Sequence, residues 1–282
     1  MVRLWHFPFP SASRTLLRER EPLPADGECA IVSESWLLNK VALVLAAHGD
    51  RGEAIEQGRA NSSLLSHRDE LAAVGVFRTV TAGVLKGDPT LEAALEAART
   101  SGANRFAIYP MFMADGYFVK RVLPERIAAM GMGSGVRILT PLGLDEAVVP
   151  LVMTEAAAAA NAAGFHTSTA RLLVVGHGSQ LGPASADATK LAAARLRATG
   201  TFADVSVAFL EEAPFLNDAL GNLRLPTVVA GFFSGDGLHA SEDIPAAIRE
   251  AGANAVYSGS LGRMSQLPAL IERSVRAALA GD

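Results

Sequence analysis

Arg171–Gly176, RLLVVG, runs without a break into His177-Gly178-Ser179, and Val41–Ala47, VALVLAA, runs in the same way into His48-Gly49-Asp50. Both runs are apolar throughout, with none of the polar alternation of a half-exposed strand. That is the pattern of strands buried on both faces. The likeness extends outward from this pair. Residues 83–89, GVLKGDP, are echoed by residues 208–214, AFLEEAP; Asp115-Gly116 by Asp236-Gly237; Pro124 by Pro245; and Leu142-Gly143 by Leu261-Gly262. The offsets, by subtraction of residue numbers, are 129, 125, 121 and 119. They drift in one direction, as a few small deletions produce, whereas chance matches scatter. An internal repeat of this length implies two copies of one fold. The copies join near residues 156–169, where an alanine-rich, helix-favouring run ends in Gly164.

Within the second half, short β-branched runs at 172–175, 205–210, 227–233 and 255–258 alternate with helix-like stretches at 185–199, 215–222 and 244–251. The first half reads alike, with strands expected at 41–47, 80–85, 105–109 and 137–140. Strand–helix alternation gives a parallel sheet covered by helices on both sides. The expected fold is therefore α/β, two similar doubly wound parallel-sheet lobes facing each other. The expected organisation is an N-terminal extension over 1–40, a first lobe over 41–160 and a second over 170–282.

Composition sets the outer bounds. Of 282 residues, 50% are hydrophobic and 19% charged, enough apolar material for two cores and too much for a disordered chain. A net charge of −4 argues against nucleic acid as a partner. Cys29 is the single cysteine, which excludes an internal disulfide framework and a cluster held by four thiolates of this chain. No apolar stretch reaches the roughly 18 residues of a membrane span. Residues 1–40 carry scattered Arg, Glu and Pro in place of an apolar signal core. The expectation is a soluble, cytoplasmic protein with no membrane partner.

The chemistry-bearing residues gain meaning from position, because ligands of open parallel sheets bind beyond the carboxyl ends of the strands. His177 follows the first strand of the second half, Glu211 and Glu212 follow its second, and His239 follows its third, behind Gly235-Asp236-Gly237. Singly, each has an ordinary explanation: a hydrogen-bonded loop histidine, a helix N-terminal charge, a surface histidine. At three strand ends of one lobe, two imidazoles and a carboxylate suit a borderline divalent metal and proton transfer near neutral pH. The first half retains His48, but Lys86 stands where Glu211 does, Gly87 where Glu212 does and Phe118 where His239 does. Its own site is incomplete. The matching loop instead carries Lys120, Arg121 and, a turn later, Arg126, which form either a solvated helix face or a grip for ligand carboxylates. Hydrolase and nucleotide readings lack their motifs: G-x-S-x-G, G-x-G-x-x-G and G-x-x-x-x-G-K are all missing after these strands.

On these residues the chain resembles the class II tetrapyrrole chelatases of the CbiX/SirB type. VGHGSQ (175–180), AFLEEAP (208–214) and GFFSGDGLHASEDIP (231–245) follow that family's pattern in order and spacing, and the likeness extends more faintly over the first half from Val41. The resemblance implies a tetrapyrrole bound between two α/β lobes and insertion of Co²⁺ or Fe²⁺ into sirohydrochlorin or a related precursor, for cobalamin or siroheme. The divalent metal would be a substrate, with no permanently bound cofactor. His177 and His239 would handle metal and accept protons, assisted by Glu211, with Glu212 as the nearby substitute in the metal-binding set. His48, Lys86, Lys120 and Arg121 would face the polycarboxylate substrate. Because both lobes lie in one chain, no second copy is needed to complete the cleft. The competing reading is a metal or tetrapyrrole carrier without turnover. The family's histidine-rich tract and iron–sulfur site have no counterpart here, with six His scattered along the chain and one Cys.

Overall fold

Among the described residues, eight parallel strands build two sheets of identical topology. A computed structural model of the chain describes residues 38–49, 62–235 and 242–280. Strands β1 (Val41–Ala47), β2 (Thr79–Val84), β3 (Arg105–Pro110) and β4 (Val136–Ile138) pair in the order β2-β1-β3-β4. Strands β5 (Arg171–Gly176), β6 (Asp204–Phe209), β7 (Thr227–Gly231) and β8 (Ala255–Ser260) pair in the order β6-β5-β7-β8. The two doubly wound lobes expected from the repeat are thus present. Finer features repeat as well. An isolated bridge joins Val84 to Thr90 and another joins Phe209 to Phe215, and 3₁₀ turns occupy Leu142–Leu144 and Leu261–Arg263. Their spacings, 125 from Thr90 to Phe215 and 119 from Leu142 to Leu261, match those of the sequence repeat.

The helices follow from apolar faces and local caps. Helix α1 spans Ser62–Val74, α2 Leu91–Thr100, α3 Leu123–Ala129 and α4 Val148–Ala162. Helix α5 spans Ala184–Ala198, α6 Leu216–Gly221, α7 Ile244–Glu250 and α8 Leu267–Ala280. In α2 the Thr90 hydroxyl accepts from the Ala93 amide at 3.1 Å, with Glu92 in the first turn and Arg99 in the last, each complementing the helix dipole. None of the described helices is long and apolar enough to cross a membrane.

Alternate residues of the central strands serve different cores, because successive side chains of a strand point to opposite faces. Val41, Leu43 and Leu45 enter an inner core, while Ala42, Val44 and Ala46 pack outward with residues of α2 and α3. Leu172 and Val174 join that same inner core, while Leu173 and Val175 pack outward with residues of α6 and α7. The inner core is therefore continuous across both lobes. Two helices stitch it together. Helix α4, which follows the first sheet, packs on β7 and β8 of the second; α8, which follows the second, packs on α1 and β3 of the first. Their buried faces are copies: Val148, Leu151, Val152, Ala156 and Ala160 in α4 against Leu267, Leu270, Ile271, Val275 and Leu279 in α8, each pair 119 apart. The i, i+3, i+4 spacing gives each helix a single apolar stripe.

Polar ties cross the same boundary. The His67 Nε2 of α1 lies 2.7 Å from the carbonyl of Gly262. Asp145 Oδ2 receives the Tyr109 hydroxyl at 3.0 Å and the Ser274 hydroxyl of α8 at 2.5 Å. The Arg195 guanidinium of α5 donates to the Leu144 carbonyl at 3.0 Å.

Candidate active site

In each sheet the chain leaves the central strand, β1 or β5, to one side and returns to the other. That reversal opens a crevice at its carboxyl end, and His48 and His177 stand there as the first residues beyond β1 and β5.

Backbone pairing continues past the end of β5 and delivers the carboxylate. The His177 carbonyl accepts from the amides of Leu210 at 3.2 Å and Glu211 at 3.0 Å, which fixes the chain after β6 beside the chain after β5. Gly178 then turns with φ +76°, and a Cβ there would lie 2.9 Å from the Glu212 side chain and 3.1 Å from Phe209 Cβ. Both the left-handed backbone and the lack of space call for glycine. The outcome separates the two neighbouring acids. Glu211 Oε2 stands 3.6 Å from His177 Nδ1, whereas Glu212 Oε1 accepts from the Ser179 amide at 2.8 Å. His177 and Glu211 are 41% and 52% exposed, so solvent or a ligand reaches both. The Gly178 carbonyl lies 3.2 Å from the same Nδ1. Two acceptor oxygens on that side suit the tautomer that carries its proton on Nδ1. A depression of about 410 Å³ opens beside Glu211, lined also by Phe209, Phe215, Asn217 and Asp243. A larger cavity of about 550 Å³ lies elsewhere, between Tyr109, Asp145, Arg195 and Ser274, and His177 and Glu211 take no part in lining it.

His239 lies outside the described residues. The chain as far as Gly235 is placed: the Gly262 amide donates to the Phe233 carbonyl at 2.8 Å, and a Cβ on Gly262 would collide with the Ser234 carbonyl. Among the described residues no three His, Cys, Asp or Glu side chains converge as a metal-holding group. The described part of the expected set is the pair His177 and Glu211, with Glu212 turned to the loop.

In the first lobe the same scaffold holds different chemistry. The His48 carbonyl accepts from the Lys86 amide at 3.0 Å, as His177 does from Glu211, and the Lys86 side chain is exposed. Phe118 meets the His48 ring edge-on, centroids 4.7 Å apart, and lies nearly parallel to Phe112 at 6.4 Å. Lys120 and Arg121 sit on the same π-helical turn, Phe118–Val122, both exposed. Lys120 Nζ is 3.3 Å from Asp115 Oδ2, and Arg121 Nε is 2.9 Å from Glu125 Oε1. The hydrogen bond to Glu125, and then the charges of Glu125 and Tyr117, raise the Arg121 pKa above its ordinary value. These surface pairs are screened by water, so exchanging one carboxylate for another costs little. Sequence reasoning overlooked Tyr117 and Phe112; a Tyr-Phe pair directly after Asp115-Gly116 was the available signal for the first. It also overlooked His67, which carries no motif.

Similarity to known proteins fits the two-lobed fold. The sequence pattern of the CbiX family matches residues 42–159 and 171–278, one copy on each lobe. The chain belongs to the CbiX family. A solved structure described as CbiX, the terminal enzyme for biosynthesis of siroheme in denitrifying bacteria, is 31% identical with a TM-score of 0.68, covering 84% of this chain and 99% of that one. The "Probable sirohydrochlorin cobaltochelatase" of Halobacterium salinarum is 25% identical over 227 residues, 72% of this chain and 75% of that protein. SirB from Bacillus subtilis, solved with Fe³⁺, has the same fold at 21% identity, with a TM-score of 0.68 over 84% of this chain and 94% of that one. Within the CbiX family match, His48 and His177 occupy the same place in successive copies, immediately after the central strand.

Proposed function

We propose that this CbiX-family protein is a metal chelatase that inserts Co²⁺ or Fe²⁺ into sirohydrochlorin or a closely related tetrapyrrole. The observation that carries the reading is the open His177–Glu211 pair, 3.6 Å apart at the switch-point end of β5. It is supported by the cobaltochelatase and siroheme-forming relatives.

Insertion exchanges one divalent cation for the two protons of the inner pyrrole N–H groups, so the site must present metal and collect protons at the same ring face. The His177 Nε2 lone pair accepts one proton, and Glu211 beside Nδ1 stabilises the imidazolium that forms. His239, on the loop after β7, supplies the second imidazole and takes the second proton, each ring accepting its proton as the metal leaves it for the macrocycle. Two neutral imidazoles and Glu211 hold the metal loosely, with open positions, whereas a closed four-ligand cage would retain it. Glu212 keeps the loop closed through the Ser179 amide and so fixes the direction of His177. The first lobe contributes charge in place of a second metal site: Lys86, Lys120 and Arg121 meet the peripheral carboxylates of the substrate, alongside His48. Residues 41–160 and 170–282 then serve as the two walls of one cleft within a single chain, and 1–40 as an extension.

The test is absorbance. Sirohydrochlorin mixed with Co²⁺ or Fe²⁺ and substoichiometric protein is expected to convert completely, over many turnovers per chain. A spectral change that stops near one equivalent of protein identifies a carrier and overturns the enzymatic reading.

A further inference from the structure

We propose that the first lobe presents an aromatic face on which the flat macrocycle lies, with Tyr117 as its exposed contact and Leu181 of the second lobe closing on the other side. This deepens the chelatase reading and rests on it. Exposed apolar side chains scattered singly are ordinary; these two are set apart as a pair on neighbouring loops of opposite lobes. Tyr117 is 63% exposed and Leu181 fully exposed, and each belongs to a loop at the carboxyl end of the strands, on opposite lobes. The loops approach one another, since a Cβ on Gly116 would lie 3.7 Å from the Cβ of Ala184, three residues beyond Leu181.

Behind Tyr117 the rings form a continuous block. Tyr117 meets Phe118 edge-on with centroids 5.7 Å apart, Phe118 lies nearly parallel to Phe112, and His48 closes the block against Phe118. Phe118 stands where the repeat places His239 in the second lobe, so the lobe that lost an imidazole gained a ring. A Phe holds neither metal nor proton, but it stiffens Tyr117 from beneath and adds apolar area. Offset and edge contacts with a conjugated ligand are favourable on such a surface. Lys120 and Arg121, three and four residues beyond Tyr117 on the same exposed turn, supply cations at the rim. An apolar face bordered by cations matches a flat conjugated ring that carries carboxylates at its edge. The labour is thereby divided: the first lobe holds the macrocycle and the second handles metal and protons.

Titration of the protein with metal-free sirohydrochlorin, followed by absorbance, tests this. Tyr117→Ala is expected to weaken binding about tenfold and Leu181→Ser about threefold, while Tyr117→Phe, which keeps the ring, restores most of the affinity. Because Leu181 is fully exposed, its replacement keeps the test valid if Tyr117→Ala folds poorly. Wild-type affinity in both Tyr117→Ala and Leu181→Ser overturns the proposal while leaving the chelatase reading intact. Absence of any sirohydrochlorin binding by the folded wild-type protein overturns that reading, and this inference with it.

Discussion

At the scale of single residues, the two adjacent acids after β6 make different contacts, and amide substitutions test whether their roles differ as well. Glu211→Gln removes the charge beside His177 and is expected to lower kcat about a hundredfold, within the usual range for an acid–base partner. Glu212→Gln keeps an oxygen that accepts from the Ser179 amide, so turnover should stay within a few-fold of wild type. Equal losses in the two variants would contradict the assignment. His177→Ala should lose most turnover, His48→Ala less. Charge reversal at Lys120 or Arg121 should act differently, raising KM for the tetrapyrrole more than it changes kcat. Steady-state kinetics over both substrates distinguishes these patterns.

Among the elements, the turn at Leu261–Arg263 backs the chain at Phe233 and Ser234, five residues before His239. Gly262→Ala places a methyl group against the Ser234 backbone, where no flexible side chain is available to give way. The expected result is a large fall in chelation rate, with far-ultraviolet circular dichroism retained. Full activity in Gly262→Ala would show that this support does not set the loop. Helix α8 is tested through its buried stripe. Ile271, fully buried in the inner core, is expected to cost about 2–5 kcal/mol when cut to Ala. Since α8 packs on α1 and β3, the loss should weaken the first lobe although the residue belongs to the second half of the chain, and hydrogen exchange of β3 amides would report it.

For the whole molecule, the shared inner core and the exchange of α4 and α8 predict one cooperative unfolding transition rather than two. Coincident denaturation curves from circular dichroism and tyrosine fluorescence check this. Tyr109 adds a pH dependence. Burial first, then the Asp145 charge and the hydrogen bond to it, push the phenol pKa far above its usual value. A group whose pKa rises on folding contributes stability below its unfolded pKa, about 10, and loses that contribution as the pH climbs beyond it. Tyr109→Phe should therefore melt lower than wild type near pH 8 and close much of the gap above pH 10. A gap that stays constant or widens with alkaline pH would show that the phenol does not carry this linkage.

The sequence alone determined the repeat, the eight strands and the order in which His177, Glu211, Glu212 and His239 follow them. All of these depend on local patterning: apolar runs of strand length, and residues placed directly after them. It ranked Glu211 ahead of Glu212 without settling the choice, because neighbours in a chain differ only once the backbone after β5 and β6 pairs and Gly178 turns. Nor could it show Phe118 against His48, Gly116 beside Ala184 of the second lobe, His67 on Gly262 or the exchange of α4 and α8. Those contacts join residues far apart in the chain, and an apolar stripe specifies that it must be buried without specifying which sheet buries it. The choice of partner was settled by packing, where two similar lobes met across one continuous core.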